Sequence, residues 1–463
     1  MRSVFSFTLV AMIVSTVSLA RAAPDTPPRA TSAAVKPGPT ETTTRPADAP
    51  RPKTAPTPGQ APQEVPKPDP RPILRTTLAG GKVEVWVKAQ LRDRFETTGR
   101  KDLELHTRSE LISQRSRLGL GVRLFSQYEV FAQVQDVRLW GSETDTLGDF
   151  SANGFDLHQA WAQVKIWRGL YLRIGRQELA YDDQRLVGTV DWSQQGRSFD
   201  AARLWWRGGP LRAEAFYART REKDGDDTVV QDKHFFGVWL KLVKLKLVQP
   251  SLILLTEIDW NEGTDRHRET LGTRVHGGWK GLSYDLAFYY QLGHDDLNAL
   301  NYSAYLFAGR VGYRAPLVTK PGVLLWAELV SGDGDPDDRT IRSFDTLFAT
   351  NHKFYGLMDF FLNLPNHTGG GGLQDFGGRL YLAPVAGLWV AADYHYFRLM
   401  ERNAAGDQSL GHEIDFTVRY RLRRWVSVQA GYSALVPGAA LASLKGGQSH
   451  SEHWFYLQTD VAF

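Results

Sequence analysis

The sequence contains no cysteine, and this absence excludes three classes of protein. A disulfide-stapled fold needs cysteine pairs, a thiolate metal site needs cysteine ligands, and a lipoprotein needs a cysteine to carry its lipid. The charge excess is also small, because 55 Lys and Arg against 51 Asp and Glu leave a formal net charge of +4. Without a basic run, that excess does not predict a nucleic-acid partner.

Long apolar runs and catalytic motifs are missing as well. After the first 22 residues, no segment approaches the roughly 18 apolar residues of a helical membrane span. There is no G-x-S-x-G nucleophile turn and no H-E-x-x-H zinc pair. We therefore predict no catalysis, no cofactor and no metal. Four histidines lie on separate predicted strands, which is not ligand spacing: His158, His234, His276 and His395.

The composition of the first 72 residues predicts that the protein is exported and that this part of the chain forms no folded domain. Residues 1–22 combine Arg2, an apolar run and Ala20-Arg21-Ala22, the pattern of a cleaved signal peptide rather than a membrane anchor. Residues 23–72 are rich in Pro, Thr, Ala and charge, without hydrophobic periodicity, and this composition predicts disorder. We interpret this segment as a periplasmic tether, which reaches secretion partners or peptidoglycan or serves only as a spacer.

From about residue 80 to 463 the sequence predicts an all-β, transmembrane, antiparallel up-and-down β-barrel of about 18 strands. Tight gaps such as Arg168-Gly169 and the step from Lys280 to Gly281 alternate with long polar gaps. Short turns at one end and long loops at the other are typical of outer-membrane barrels, in which an even strand number places both termini in the periplasm.

Alternation within the strands predicts which side chains face the lumen. Leu118, Leu120 and Val122 share one side of a strand, and arginines share the other. Apolar faces must contact lipid, so charged faces line the lumen, where arginines would select anions or pair with neighbouring carboxylates. The carboxylates on this side are Glu129, Glu214, Glu257, Asp285, Asp393, Glu413, Asp415 and Asp460. The candidate substrate-binding residues are Arg115, Arg117, Arg123, Lys165, Arg173, Arg203, Arg212, Arg274, Arg310, Arg379, Arg419 and Arg421.

One stretch, Gly175 to Leu204, places a charged loop between two strands. A core buries charges only when each is paired, so we expect this loop to face water. It would fold inward as a constriction, or remain as extracellular decoration or salt-bridged packing. Its candidate constriction residues are Glu178, Asp182, Arg185, Asp191 and Arg197.

The pattern GRQEL-Y-D-RL-G--DW---GRSFDA-RL of this stretch resembles the signature of the alginate export porin family of Gram-negative outer membranes. A second block from Ser331, SGDGDPDD…SFDTLFATNHKFYGLMD, is similar to another stretch of that family. The resemblance implies a monomeric outer-membrane channel that exports an anionic polysaccharide, such as the polyuronate alginate. The alternative is a general diffusion porin for small anions or sugars, and a closed structural barrel is a third reading.

An acidic turn in the second block resembles a calcium loop, because hard cations prefer several oxygens on a glycine-rich turn. The spacing lacks the glutamate that closes an EF-hand, which favours a solvated acidic turn. Its carboxylates are Asp333, Asp335, Asp337 and Asp338.

Overall fold

The computed structural model describes residues 72–98, 103, 109–141, 154–221, 232–243, 245, 247–260 and 265–463. Eighteen of its twenty strands form one closed antiparallel barrel, as predicted. The signal peptide and nearly all of the predicted tether lie outside the described residues. None of the helices in the described ranges is long and apolar enough to cross a membrane.

The barrel strands follow the period-two alternation of apolar residues and the turn signals between them, both of which act locally. Two further strands, β1 (Leu74–Leu78) and β15 (Thr340–Ile341), and a six-residue helix, α1 (Ala439–Leu444), lie outside the barrel's regular order. The barrel strands are β2 (Val83–Thr98), β3 (Ser109–Leu124), β4 (Tyr128–Leu139), β5 (Phe155–Trp167), β6 (Leu170–Gln177), β7 (Phe199–Gly208), β8 (Leu211–Arg221), β9 (Asp232–Leu242), β10 (Gln249–Trp260), β11 (Arg266–Trp279), β12 (Leu282–Asp295), β13 (Leu300–Arg314), β14 (Gly322–Val330), β16 (Leu373–Leu382), β17 (Leu388–Arg398), β18 (Ser409–Arg423), β19 (Val426–Pro437) and β20 (Glu452–Ala462).

Pairing between β2 and β20 closes the barrel, from Gln90 opposite Ala462 to Thr98 opposite Trp454. The first residues of β2 extend beyond the end of β20 and would leave an open edge. Strand β1 covers that edge, with Leu74 opposite Val87 and Leu78 opposite Val83. The barrel therefore has no unpaired strand edge at its seam.

Short turns and long loops occupy opposite ends of the barrel. Lys280 and Gly281 join β11 to β12 with positive φ at both positions, as a two-residue hairpin turn requires. At the other end, residues 178–198 join β6 to β7 and residues 331–372 join β14 to β16. We call these the loop 178–198 and the loop 331–372.

The outer surface is apolar at the centre of the strands. Leu118, Leu120, Leu254, Leu271 and Phe416 are exposed, whereas the residues beside them in sequence point inward and are mostly buried. A continuous apolar surface on a closed barrel matches the hydrocarbon region of a membrane. The sheet is thus a lipid-facing wall around an enclosed interior.

The interior is packed by the two long loops. Leu179, Leu186, Phe354 and Phe361 from these loops form one hydrophobic cluster with wall residues such as Phe235. Burial of each large apolar side chain contributes about 1.5–3 kcal/mol. An 18-stranded barrel without such filling would enclose an aqueous channel.

The two loops are also hydrogen-bonded to each other. Val187 and Phe348 form a parallel bridge, and Thr350 N–H donates to the Gln184 carbonyl at 2.9 Å. The expectation that residues 178–198 face water is therefore wrong for the most buried part of the loop. Most of its charges are paired, which is the condition under which a protein interior accepts them.

Candidate functional site

Four inward arginines form a basic strip on the first two barrel strands: Arg92, Arg94, Arg115 and Arg117. Arg92 lies directly opposite Arg115 in the β2–β3 register. All four are at least 92% buried, and Arg115 is completely buried. Such a cluster needs dense compensation, because each guanidinium carries a permanent charge and five donors.

Backbone carbonyls of the loop 178–198 cap every arginine of the basic strip. Arg92 Nη1 donates to the Asp191 carbonyl at 2.6 Å, and Arg94 donates to the Trp192 carbonyl. Arg115 Nη1 donates to the carbonyls of residues 193 and 194, both at 3.2 Å. Arg117 Nη2 donates to the Gln195 carbonyl at 3.2 Å. Five successive carbonyls thus face the strip.

Carboxylates balance the positive charge of the strip, and only some of them belong to the barrel wall. Asp460 accepts from Arg92 Nη2 at 2.8 Å, and Glu96 lies 3.5 Å from Arg94. The loop supplies the rest: Asp191 accepts from Arg115 Nη2 at 2.9 Å, and Glu178 lies 3.9 Å from Arg117. Half of these four carboxylates therefore belong to the loop that covers the strip.

Trp192 anchors the tip of the loop. Its ring lies 3.8 Å from the Arg94 guanidinium carbon and stacks on His352 of the other loop at 4.2 Å. Tyr456 of β20 meets the same ring edge-on at 5.1 Å. Cation–π and aromatic contacts of this kind add to the carbonyl caps and fix the loop against the strip.

The other half of the loop reaches different strands. Asp182 accepts from Trp239 Nε1 at 3.0 Å and from Ser251 Oγ at 2.8 Å. Arg185 forms a two-pronged ion pair with Glu328 of β14, in which Nη2 donates to Oε1 at 2.9 Å. The loop is therefore held by walls on three sides of the barrel.

Asp183 lies beside Arg185 within this buried network. Its carboxylate is 3.2 Å from Arg185 and 3.8 Å from Arg274 of β11. Burial alone would raise the pKa of Asp183, but Arg274, Arg185 and Arg310 together hold this pKa well below its ordinary value. The carboxylate is therefore charged throughout the physiological range.

Arg197 is the predicted constriction residue with the least compensation. Its guanidinium donates to the Ala349 carbonyl at 3.3 Å and lies 5.6 Å from the Phe348 ring. Burial lowers the pKa of Arg197 to about 10, which leaves the side chain cationic near neutral pH. Arg197 thus places a weakly balanced positive charge where the two loops meet.

The predicted lumen residues all lie on the inward-facing side of their strands, but most are paired. Arg123 donates to Glu129 at 2.9 Å, Arg274 to Asp285 at 2.7 Å and Arg379 to Asp393 at 2.6 Å. Arg203 pairs with Glu214 and Arg310 with Glu328, while Arg173 and Arg419 donate to glutamines. Arg421 is partly buried, and Lys165 and Arg212 are exposed.

A cavity of about 210 Å³ opens near the short-turn end, between the starts of β4 and β6. Its charged lining combines Arg123 and Lys165 with Glu129, and Tyr171 supplies an aromatic wall. Several water molecules fit a volume of this size. The lining groups can hydrogen-bond polar or anionic solutes.

The acidic turn of residues 333–338 is held by its own hydrogen bonds. Asp338 accepts from Arg342 Nη1 at 2.6 Å, and Asp333 accepts from the Asp335 N–H at 3.2 Å. Asp335 and Asp337 are exposed. Asp333 and Asp338 thus accept hydrogen bonds within and beside the turn, whereas Asp335 and Asp337 face solvent.

Sequence reasoning missed two members of the basic strip, Arg92 and Arg94. They alternate with Leu91 and Phe95 in β2, so the parity rule that selected Arg117 applies to them as well. It also missed Glu328, which is the buried partner of Arg185. Nothing local identifies that pairing, because 143 positions separate the two residues.

The alginate export family model matches residues 84–455. The chain belongs to the alginate export family. This membership, together with the apolar outer surface of the closed barrel, identifies an outer-membrane β-barrel channel protein. No curated protein matches the chain.

Solved structures of other proteins share the fold. Pseudomonas aeruginosa OccK8 (OprE) is 13% identical with a TM-score of 0.59, over 82% of this chain and 98% of that one. Pseudomonas aeruginosa OpdO is 14% identical with a TM-score of 0.57, over 82% and 97%. Acinetobacter baumannii OccAB3 is 12% identical with a TM-score of 0.56, over 82% and 99%. At these identities the similarity concerns the fold alone.

Proposed function

We propose that this channel exports an anionic polysaccharide, an alginate-like polyuronate, across the outer membrane, and that the loop 178–198 gates its passage. The single observation that carries the proposal is the capping of four buried arginines by one loop. The N-terminal segment would act in the periplasm as a tether, and the chain would work as a monomer without a cofactor.

The capping loop resembles an anionic polymer in its chemistry. It presents Asp191 and five successive carbonyl oxygens to guanidinium groups. A polyuronate presents one carboxylate per sugar together with hydroxyl and ring oxygens. Because a planar guanidinium binds a carboxylate in two-pronged geometry, the polymer can replace the loop contact by contact.

Displacement of the loop would also change the local charge. When Asp191 leaves, the strip keeps its four arginines but loses the ion pair between Asp191 and Arg115. The exposed strip then attracts the next carboxylate along the polymer. Contacts of this kind are weak enough to exchange when they are many and similar, which permits movement through the pore.

The test is single-channel recording of the refolded protein in a planar bilayer under a salt gradient, with oligouronates added afterwards. We expect anion-selective openings that oligouronates block and neutral oligosaccharides of equal length do not. Arg115→Gln and Arg117→Gln should weaken the block roughly tenfold to a hundredfold, since a hydrogen bond to a charged group contributes about 1.5–3 kcal/mol.

Arg176→Gln is the matched control, because it removes an arginine from the outward side of β6, where Arg176 lies 3.2 Å from Asp200. This variant should be blocked like the wild type. Cation selectivity, or current that oligouronates leave unchanged, would contradict polyuronate export and favour a diffusion porin for small solutes.

A further inference from the structure

A second charged cluster lies in the barrel interior, on the three strands that follow the loop 331–372. This acidic cluster consists of Asp375 on β16, Asp393 and His395 on β17, and Glu413 and Asp415 on β18. Every member is at least 94% buried. Strand pairing assembles it, because Asp393 lies opposite Asp415 and His395 lies opposite Glu413.

Asp415 is the member that the protein leaves unsatisfied. Its side chain is 1% exposed, and neither of its oxygens accepts a well-aligned hydrogen bond among the described residues, although Ser433 of β19 lies opposite it. One oxygen of Glu413, Oε2, likewise accepts no hydrogen bond among the described residues. A buried carboxylate without a partner is costly, so such a group requires a proton or a cation.

His395 is oriented toward Asp415 by the carboxylate behind it. Asp375 lies 3.0 Å from His395 Nδ1, and Trp326 Nε1 donates to Asp375 at 2.9 Å. The opposite ring nitrogen, Nε2, lies 3.9 Å from Asp415 Oδ2. A carboxylate on one imidazole nitrogen with the other nitrogen free is the usual arrangement of a metal-binding histidine.

One potential donor atom from each of Asp393, His395 and Asp415 lies within 4.8 Å of the others. Asp393 and His395 also line a cavity of about 40 Å³. That volume accommodates at least one water molecule, which could complete a coordination sphere. The cluster therefore has three converging protein donors and space for a solvent ligand, and Asp393, whose two oxygens accept from Arg379, would be shared between the guanidinium and the ion.

We propose that Asp393, His395 and Asp415 bind one divalent transition-metal ion, with Asp375 positioning the imidazole. The imidazole nitrogen favours zinc-like ions over calcium or magnesium, which prefer all-oxygen sites. Zinc ligands lie about 2.0–2.2 Å from the ion, so the donors draw inward on binding. The separate strands of the donors explain why sequence spacing did not predict this site.

The metal would also fix the loop 331–372 against the wall. Met358 N–H of this loop donates to Glu413 Oε1 at 2.9 Å, two residues from Asp415. An ion held by Asp415 would fix this part of β18, and with it the strand position that anchors the loop. The role is structural and does not depend on which solute the channel carries.

The experiment is calorimetric titration of the chelator-treated, refolded full chain with Zn²⁺, and in parallel with Ca²⁺. We expect one saturable Zn²⁺ site per chain and much weaker Ca²⁺ binding. Asp415→Asn and His395→Gln should abolish the Zn²⁺ site, and Asp375→Asn should weaken it about 10- to 100-fold. His276→Gln is the control, because it changes another buried inward histidine on β11 and should bind like the wild type.

Circular dichroism and heat-modifiable gel mobility would establish that each variant folds. If a variant does not fold, anomalous scattering at the zinc edge from wild-type crystals replaces it, with a peak expected between Asp393, His395 and Asp415. No saturable Zn²⁺ binding, tighter Ca²⁺ binding, unchanged affinity in folded Asp415→Asn, or no peak at this position would each overturn the proposal. A lack of saturable Zn²⁺ binding would indicate that protons, rather than a metal ion, neutralise the carboxylates of the cluster.

Discussion

The basic strip and the acidic cluster are both buried on the inner wall, yet they are satisfied in different ways. A long loop covers the strip and supplies five carbonyl oxygens and Asp191. At the acidic cluster, the loop 331–372 supplies the Met358 N–H to Glu413, and neither oxygen of Asp415 accepts a well-aligned hydrogen bond among the described residues.

The difference follows from the chemistry of the backbone. A loop that passes over arginines can present consecutive carbonyls, each an acceptor with two lone pairs. A backbone N–H, by contrast, has a single proton to donate, so a loop that passes over carboxylates supplies fewer hydrogen bonds per residue. The loop therefore satisfies the strip except at Arg115 Nε, whereas the acidic cluster needs a cation or protons.

The largest expected effect comes from a buried carboxylate that is fully paired. Glu328 is completely buried and pairs with both Arg185 and Arg310, so Glu328→Gln removes a counter-charge that the two guanidiniums share and leaves Asp183 to pair with Arg185. We expect a loss of about 3–5 kcal/mol in the free energy of unfolding, measured by urea titration in detergent.

Asp156→Asn provides the comparison for Glu328→Gln. It breaks an exposed pair, 3.7 Å from Arg176, and should change the same free energy by less than about 1 kcal/mol. Equal effects of the two substitutions would mean that the loop 178–198 does not bury Glu328 in solution.

Removal of one arginine from the strip should have a smaller effect. Arg115→Gln removes the guanidinium that donates to the carbonyls of residues 193 and 194 and one of the cations that pair with Asp191. We expect a loss of about 1–3 kcal/mol in unfolding free energy. Proteolysis of the loop in the folded barrel should become faster, and an unchanged cleavage rate would argue against capping.

Asp415→Asn should have the opposite sign in metal-free protein. It removes an unpaired buried charge, so the variant should be more stable than the wild type by about 1–3 kcal/mol after chelation. With saturating Zn²⁺ the order should reverse, because only the wild type gains binding energy. If the same protein were the more stable one both with and without Zn²⁺, Asp415 would not differ from the fully paired Glu328, and the account would be contradicted.

The effect confined to the narrowest range of conditions is the pH dependence that Asp183 confers. The pKa of Asp183 is lower in the folded protein than its ordinary value of about 3.9. Its contribution to stability is therefore complete above that value and is lost as the pH falls through the folded-state pKa. Each unit of lowering corresponds to about 1.4 kcal/mol.

Unfolding free energies of the wild type and Asp183→Asn, measured from pH 6 to pH 2, would test this linkage. The difference between the two should be constant near pH 6 and shrink below about pH 4. A difference that grows on acidification would contradict the pairing with Arg274 and Arg185.

Strand positions and the inward side of each strand were predictable, because both depend on local alternation of period two. Arg117 and Arg419 were placed correctly for that reason. The capping of Arg117 by the Gln195 carbonyl was not predictable, because it joins residues 78 positions apart through a backbone group common to every residue type. The same limit applies to His395 and Asp415, which meet only through the register of β17 and β18.

The most direct test uses the natural absence of cysteine. Gln194 Nε2 of the loop donates to Ser113 Oγ of β3 at 2.9 Å, so Ser113→Cys with Gln194→Cys places two thiols where the loop covers the strip. A reversible thiol cross-linker would join them, and each single-cysteine variant is a control. Gating by the loop predicts that the cross-linked channel stays closed and insensitive to oligouronates, and that reduction restores both current and block. Equal current and equal block before and after reduction would contradict it.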